Sequence, residues 1–170
     1  GSNPMSTLLT KNTSIWVKPG AQRVFIDNLT FTHTGGYAIL LDADTADIVD
    51  VQIPNCVFVN NRPHLFGLLA GDISGANGYG SWTGGIFYRG DCRTSAGKPY
   101  AVRGLTVQGC HWRRNTGNCL WGHSLGFDTH HTNLNFVGND FEDCGLDGIL
   151  VGNASGVVVK GNTFHRVGYI

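Results

Sequence analysis

The residues of this 170-residue chain that could do chemistry fall into three sets. Acids crowd one stretch: Asp140, Glu142, Asp143 and Asp147. Hydrolysis of a glycosidic bond needs two carboxyls, roughly 5–5.5 Å apart for retention or 6.5–9.5 Å for inversion. The second set combines proton carriers with cations: His64, Tyr88, Arg89, His111, Arg113, Arg114, His123 and His130. Removing a proton beside a carboxylate needs a cation or amide to neutralise that carboxylate, and a His, Tyr, Lys or Arg as base or acid. Histidine is the side chain best poised for such transfer near neutral pH. The third set is aromatic: Tyr79, Trp82, Tyr88 and Tyr100 are rigid, amphipathic surfaces suited to stacking on a sugar ring, with Trp82 the foremost platform.

Each set has a plainer reading. A single histidine in a turn is more often a satisfied surface or core residue, the Arg113-Arg114 pair can be a solvated turn, and the aromatics can pack their own loop. The adjacent His130-His131 lacks the spacing of a zinc pair and reads as a polar turn. Calcium would require six to eight oxygens, and strand alternation points the four acids to different faces, so no metal or other cofactor is assigned. Five cysteines (Cys56, Cys92, Cys110, Cys119, Cys144) form an odd set with no C-x-x-C pair. They read as buried free thiols, and not as a zinc site or a complete disulfide framework.

The totals exclude several classes. Hydrophobic residues make up 41% and charged residues 14% of the chain, which suits one folded domain. Twelve basic and twelve acidic residues cancel, which argues against a nucleic-acid or anionic-membrane partner. No apolar run approaches the length of a membrane span. Glycine, at 25 residues, is about twice its usual share and is spread along the chain, the mark of many tight turns. The opening Gly1-Ser2-Asn3-Pro4 has the look of a cloning remnant and is set aside.

What must position the reactive residues is a repeat. Asn133-Leu-Asn-Phe-Val-Gly-Asn-Asp-Phe141, followed by Asp147-Gly-Ile-Leu-Val151, starts again as Val157-Val-Val-Lys-Gly-Asn-Thr-Phe164. Aligned on the aromatic after each turn, the units place Phe31, Phe58, Trp112, Phe141 and Phe164 in one column, at intervals of 27, 54, 29 and 23 residues. Two positions earlier stand Leu29, Cys56, Cys110, Asn139 and Asn162, where asparagine can satisfy turn backbone groups. The segments are short, β-branched, alternating and punctuated by Gly and Asn, so they are strands, and no stretch has the period of a helix. Units this small cannot bury their own faces; stacked about 4.8 Å apart as parallel sheets, they can. Residues 5–22 hold one strand, Ser14 to Lys18, leading into repeats that occupy 23–170. Residues 71–100 break the period with a strand-like Gly85-Ile-Phe-Tyr-Arg89 between long loops, where function tends to sit.

These coils, G-N-x-F followed by D-G-I and again G-N-x-F, resemble the right-handed parallel β-helix family of pectate-lyase type, over roughly 23–170. The resemblance implies an all-β, single-stranded parallel β-helix of five or six coils. It also implies an extracellular or periplasmic location, and an extended, uronate-containing polysaccharide lying across the coils as the partner. The column before the second strand of each unit reads Tyr37, His64, Asn118, Asp147, and the far end of those strands reads Asp42, His123, Asn153. The catalytic residues expected for lyase or epimerase chemistry are His64, Tyr88, Arg89, His123 and Asp147. Trp82, Trp121, Arg113 and Arg114 are expected to hold substrate. Asp147-Gly-Ile149 is similar to the element of the polygalacturonase hydrolases, but its aligned neighbour is Asn118 and no second acid completes the dyad. The reading from a different class is a non-catalytic glycan-binding or structural module, as in adhesins and tailspikes. Because the pattern runs to Gly168-Tyr-Ile170 without a polar cap, another chain or further coils are expected to cover that end.

Overall fold

The computed structural model describes residues 13–34, 37–61, 83–90, 100–123 and 130–168. Fifteen strands take part: β1 (Ile15–Val17), β2 (Gln22–Phe25), β3 (Thr30–Thr32), β4 (Ile39–Asp42), β5 (Ile48–Pro54), β6 (Val57–Val59), β7 (Thr83–Arg89), β8 (Val102–Gln108), β9 (His111–Arg113), β10 (Asn118–His123), β11 (His131–Val137), β12 (Asp140–Cys144), β13 (Ile149–Leu150), β14 (Ala154–Lys160) and β15 (Thr163–Val167). Every third strand joins the same sheet. The first sheet is β1-β4-β7-β10-β13, the second β2-β5-β8-β11-β14 and the third β3-β6-β9-β12-β15. All pairings are parallel, so three strands make one coil and five coils stack. β1 pairs with β4 and belongs to the first coil. The 54-residue interval is a single coil carrying an insertion, and its first-sheet strand is β7.

In-register stacking turns the repeat into ladders. Phe31, Phe58, Trp112, Phe141 and Phe164 stack with ring centroids 5.1, 4.7, 4.6 and 5.0 Å apart, close to the rung spacing. Beside them runs the polar column. Asn139 Oδ1 accepts the Cys110 N–H (3.0 Å), and its Nδ2 donates to Val107 O (3.0 Å). Asn162 does the same for the Asn139 N–H (2.9 Å) and Phe136 O (2.8 Å). The cysteines occupy the equivalent place: Cys110 Sγ accepts the Cys56 N–H at 3.4 Å and donates to Ile53 O at 3.2 Å. Cys119 and Cys144, expected to be free thiols, are instead joined by a disulfide between β10 and β12 of the fourth coil. Cys56 and Cys110 are free and buried as expected, and Cys92 lies outside the described residues.

Three columns of left-handed backbone fix where each coil bends. Asn28, Asn55, Gly109, Gly138 and Gly161 turn the chain from the second sheet to the third. His33, Asn60, Arg114, Asp143 and Arg166 lie within one residue of the last residue of the third-sheet strands. Arg23, Asp50, Gly104, Asn133 and Gly156 sit inside the second sheet, where an extra residue resets the alternation so that Ile48 and Val51, three apart, both face inward. His131 follows from the same reset. It is a fully buried core residue, and not part of a polar turn, and its Nδ1 accepts the Val102 N–H at 3.1 Å. The ladder is covered at one end and bare at the other: Phe31 is 7% exposed and Phe164 52%, with Val157 and Val159 also exposed.

Two glycines separate conformational strain from steric fit. Gly138 has φ +63° and nothing within 4 Å of an added Cβ, so Gly138→Ala is expected to cost only the left-handed penalty, about 1–2 kcal/mol. A Cβ on Gly85 would lie 2.0 Å from Cys119 O, so Gly85→Ala should prevent the third and fourth coils from stacking. Thermal unfolding followed by circular dichroism should show a modest loss of melting temperature in the first variant and no cooperative native transition in the second.

Candidate functional site

Stacking distributes the expected site residues over three environments. Tyr88 points into the coil and is fully buried; its ring meets the His131 ring edge-on at 4.8 Å. Burial pushes the phenol well above its ordinary value, and its hydroxyl has no hydrogen-bond partner among the described residues. A substrate on the outer face cannot reach it, so the expected catalytic role gives way to packing. Gly122, in register with Tyr88, makes the room: a Cβ there would lie 2.2 Å from the phenolic oxygen.

Arg89 faces outward from the first sheet yet is buried, with its Nε 2.7 Å from Asp42 Oδ1 and a terminal nitrogen 3.9 Å from Asp44. Trp16 Nε1 donates to the other Asp42 oxygen at 3.2 Å. A guanidinium committed to a buried pair holds structure, since losing one partner strands the other charge. Trp121 is buried too, tilted against Phe87 (4.6 Å), which stacks on Tyr37 (4.7 Å). It is part of an apolar cluster outside the main core and offers no open platform. His123 follows by backbone register from Arg89, and its side chain lies outside the described residues. His64 and Trp82 also lie outside them. Asp147 is exposed; Asn118 Oδ1 accepts its N–H (3.1 Å), so the aligned column is a real neighbourhood with one carboxyl and one amide.

The expected residues that do meet on an open surface are Arg113 and Arg114. Along the border of the third sheet, charges alternate from rung to rung. Arg113 Nε is 3.5 Å from Glu142 Oε2, and Arg166 contacts the other Glu142 oxygen at 3.2 Å. Arg166 also chelates Asp143, through Nε and through a terminal nitrogen at 3.0 Å. One column over, His111 Nδ1 is 3.5 Å from Asp140, which accepts a bond from Thr163 Oγ1 at 2.5 Å. Arg113, Arg114, Glu142 and Asp143 line a shallow cleft of about 290 Å³. The Arg114 N–H donates to Glu142 O, while its exposed side chain carries no ion pair among the described residues. Arg166 and Glu142 are the contributors that reading Arg113-Arg114 alone misses; their signal is the αL column and the strand register, which place 114, 143 and 166 on consecutive rungs.

Electrostatics favours the ionised forms of Asp140 and Asp143. The Thr163 hydroxyl, and then His111, hold Asp140 below the usual carboxylate range, and the Arg166 hydrogen bond does the same for Asp143 while raising Arg166 itself. Among the described residues no three His, Cys, Asp or Glu side chains converge as metal ligands would, and no helix is long and apolar enough to cross a membrane.

Three parallel sheets wound one strand each per turn define a parallel β-helix. The sequence matches the right-handed beta helix region over residues 13–169, and the chain belongs to that family. No curated protein and no solved structure matches it.

Two measurements follow from these placements. Tyr88→Phe should leave stability unchanged or raise it by about 1 kcal/mol, since it removes a buried hydroxyl without a hydrogen bond among the described residues, and urea unfolding reads this directly. Because the pKa values of Asp140 and Asp143 are depressed in the fold, their contribution is present above the ordinary carboxyl value, about 3.9, and is lost as pH falls through the lower folded values. Amide exchange in β15 should therefore accelerate as pH drops below about 4, beyond the intrinsic rate, and Asp143→Asn should weaken the same strand already at neutral pH.

Proposed function

We propose that the chain is a β-helix module that binds an extended, uronate-containing polysaccharide along the charged border of the third sheet and does not turn it over. The cleft of Arg113, Arg114, Glu142 and Asp143 carries this reading. The Arg114 guanidinium is exposed and can take a carboxylate bidentately. The carboxylate of Asp143 and the side-chain oxygens of Glu142 are acceptors for sugar hydroxyls on the rung next to the two arginines. Binding is favoured over chemistry by the state of the acids. A general acid needs a carboxyl held protonated, whereas Asp140 and Asp143 are pushed the other way. Of the proton carriers expected for lyase or epimerase chemistry, Tyr88 is shut in the core.

The test is a panel of uronate polymers and neutral glycans, read both by affinity electrophoresis and by absorbance of unsaturated product. Retarded migration on a uronate polymer without product is expected, with Arg114→Ala weakening retardation about tenfold, the scale of one charge-assisted contact. Accumulating product would return the protein to lyase chemistry, and indifference of every polymer to the Arg114→Ala change would remove the cleft as the binding site.

A further inference from the structure

Cys56 and Cys110 lie away from the charged border, in the inward polar column. Val57 and His111 are register partners, so the two cysteines that precede them are direct neighbours across one rung. Parallel rungs are spaced about 4.8 Å apart, inside the range of roughly 4.4–6.8 Å between α-carbons that a disulfide spans. Cys110 Sγ already reaches back over the gap, accepting the Cys56 N–H at 3.4 Å. The neighbouring Cys110 side chain draws the Cys56 thiol down to about 7, against the effect of burial. Cys56 Sγ also donates to Ile26 O, one rung below, at 3.4 Å. Rotation about its χ1 is the one side-chain movement that would turn it from Ile26 toward Cys110.

We propose that Cys56 and Cys110 are a redox-responsive cross-rung pair, oxidised by hydrogen peroxide to a disulfide that locks the second coil to the third. Both thiols are fully buried, which selects for an oxidant of this size over bulky disulfides. The Cys56 sulfur attacks one peroxide oxygen, the O–O bond breaks, and the thiol proton leaves with the departing oxygen as water. The resulting sulfenic acid is attacked by Cys110, forming the S–S bond and releasing its oxygen as a second water. Two thiols are oxidised and one peroxide is reduced. The bond gives up the S–H contacts to Ile26 and Ile53 and closes a sequence separation of 54 residues. That interval contains the irregular stretch 71–100 and its strand β7.

The experiment uses the full chain and its Cys92→Ser variant, treated with hydrogen peroxide, then unfolded, alkylated and mapped by mass spectrometry. A peptide linking Cys56 to Cys110 is expected in both, with loss of both alkylatable thiols and a melting temperature raised by several degrees. Dithiothreitol should reverse the link and the shift, and Cys56→Ser should abolish them while its hydroxyl keeps the bond to Ile26. Recovery of both thiols alkylated, or separate over-oxidation of each to sulfinic acid, would overturn the proposal.

Discussion

Everything in this solenoid depends on how the backbone is satisfied at the corner between the second and third sheets. There the chain turns away from its own sheet, and the N–H of one rung needs an acceptor that its own coil does not supply. The acceptor comes from the next rung: Asn139 for Cys110, Asn162 for Asn139, Cys110 for Cys56. The same side chain hands a proton back to a carbonyl of the rung below, so one residue closes two buried vacancies. Left open, each would cost about 1–3 kcal/mol. A slip of one residue would break these bonds in every coil and turn the aromatic ladder outward at once. The rings stack because the corner holds them in register.

The left-handed columns are the geometric complement of that chemistry. Glycine and asparagine fill the turn column, as their backbone freedom leads one to expect. The column after the third sheet holds His33, Asn60, Arg114, Asp143 and Arg166, and its two arginines have no such ease. They are kept in that backbone state by bonds on either side, such as the Arg114 N–H to Glu142 O. One result is that the charges of the border leave the backbone at the same place on each rung. The border is thus a by-product of how the coil turns as much as of which residues stand there.

Periodicity made the fold legible in the chain. Intervals of 23–29 residues, a recurring aromatic and an Asn or Cys two positions before it were enough to assign the columns that the structure contains. Alternation also separates inward from outward along each strand. It does not tell what lies over the outward side, and for that reason alternation alone predicts Arg89 and Trp121, both outward, to be accessible, whereas both are buried. Tyr88 failed for a different cause: its position between two outward residues of β7 already marked it as inward, but a phenol reads as chemistry before it reads as packing. The disulfide left no trace in the alignment because Cys119 and Cys144 belong to different columns and meet across a corner of one coil. Arg113 and Arg114 were legible as a pair, and their acidic counterparts only once register was known.

That disulfide joins the first strand of the fourth coil to its last, so the fourth coil is a closed covalent ring of one turn. A solenoid contacts only its nearest neighbours and comes apart from its ends, one turn after another. Pulled from its C-terminus, this one would surrender the fifth coil and then meet a link that cannot be unwound. The force would cross the disulfide from β12 straight to β10 and from there into the third coil, leaving the chain inside the ring without load.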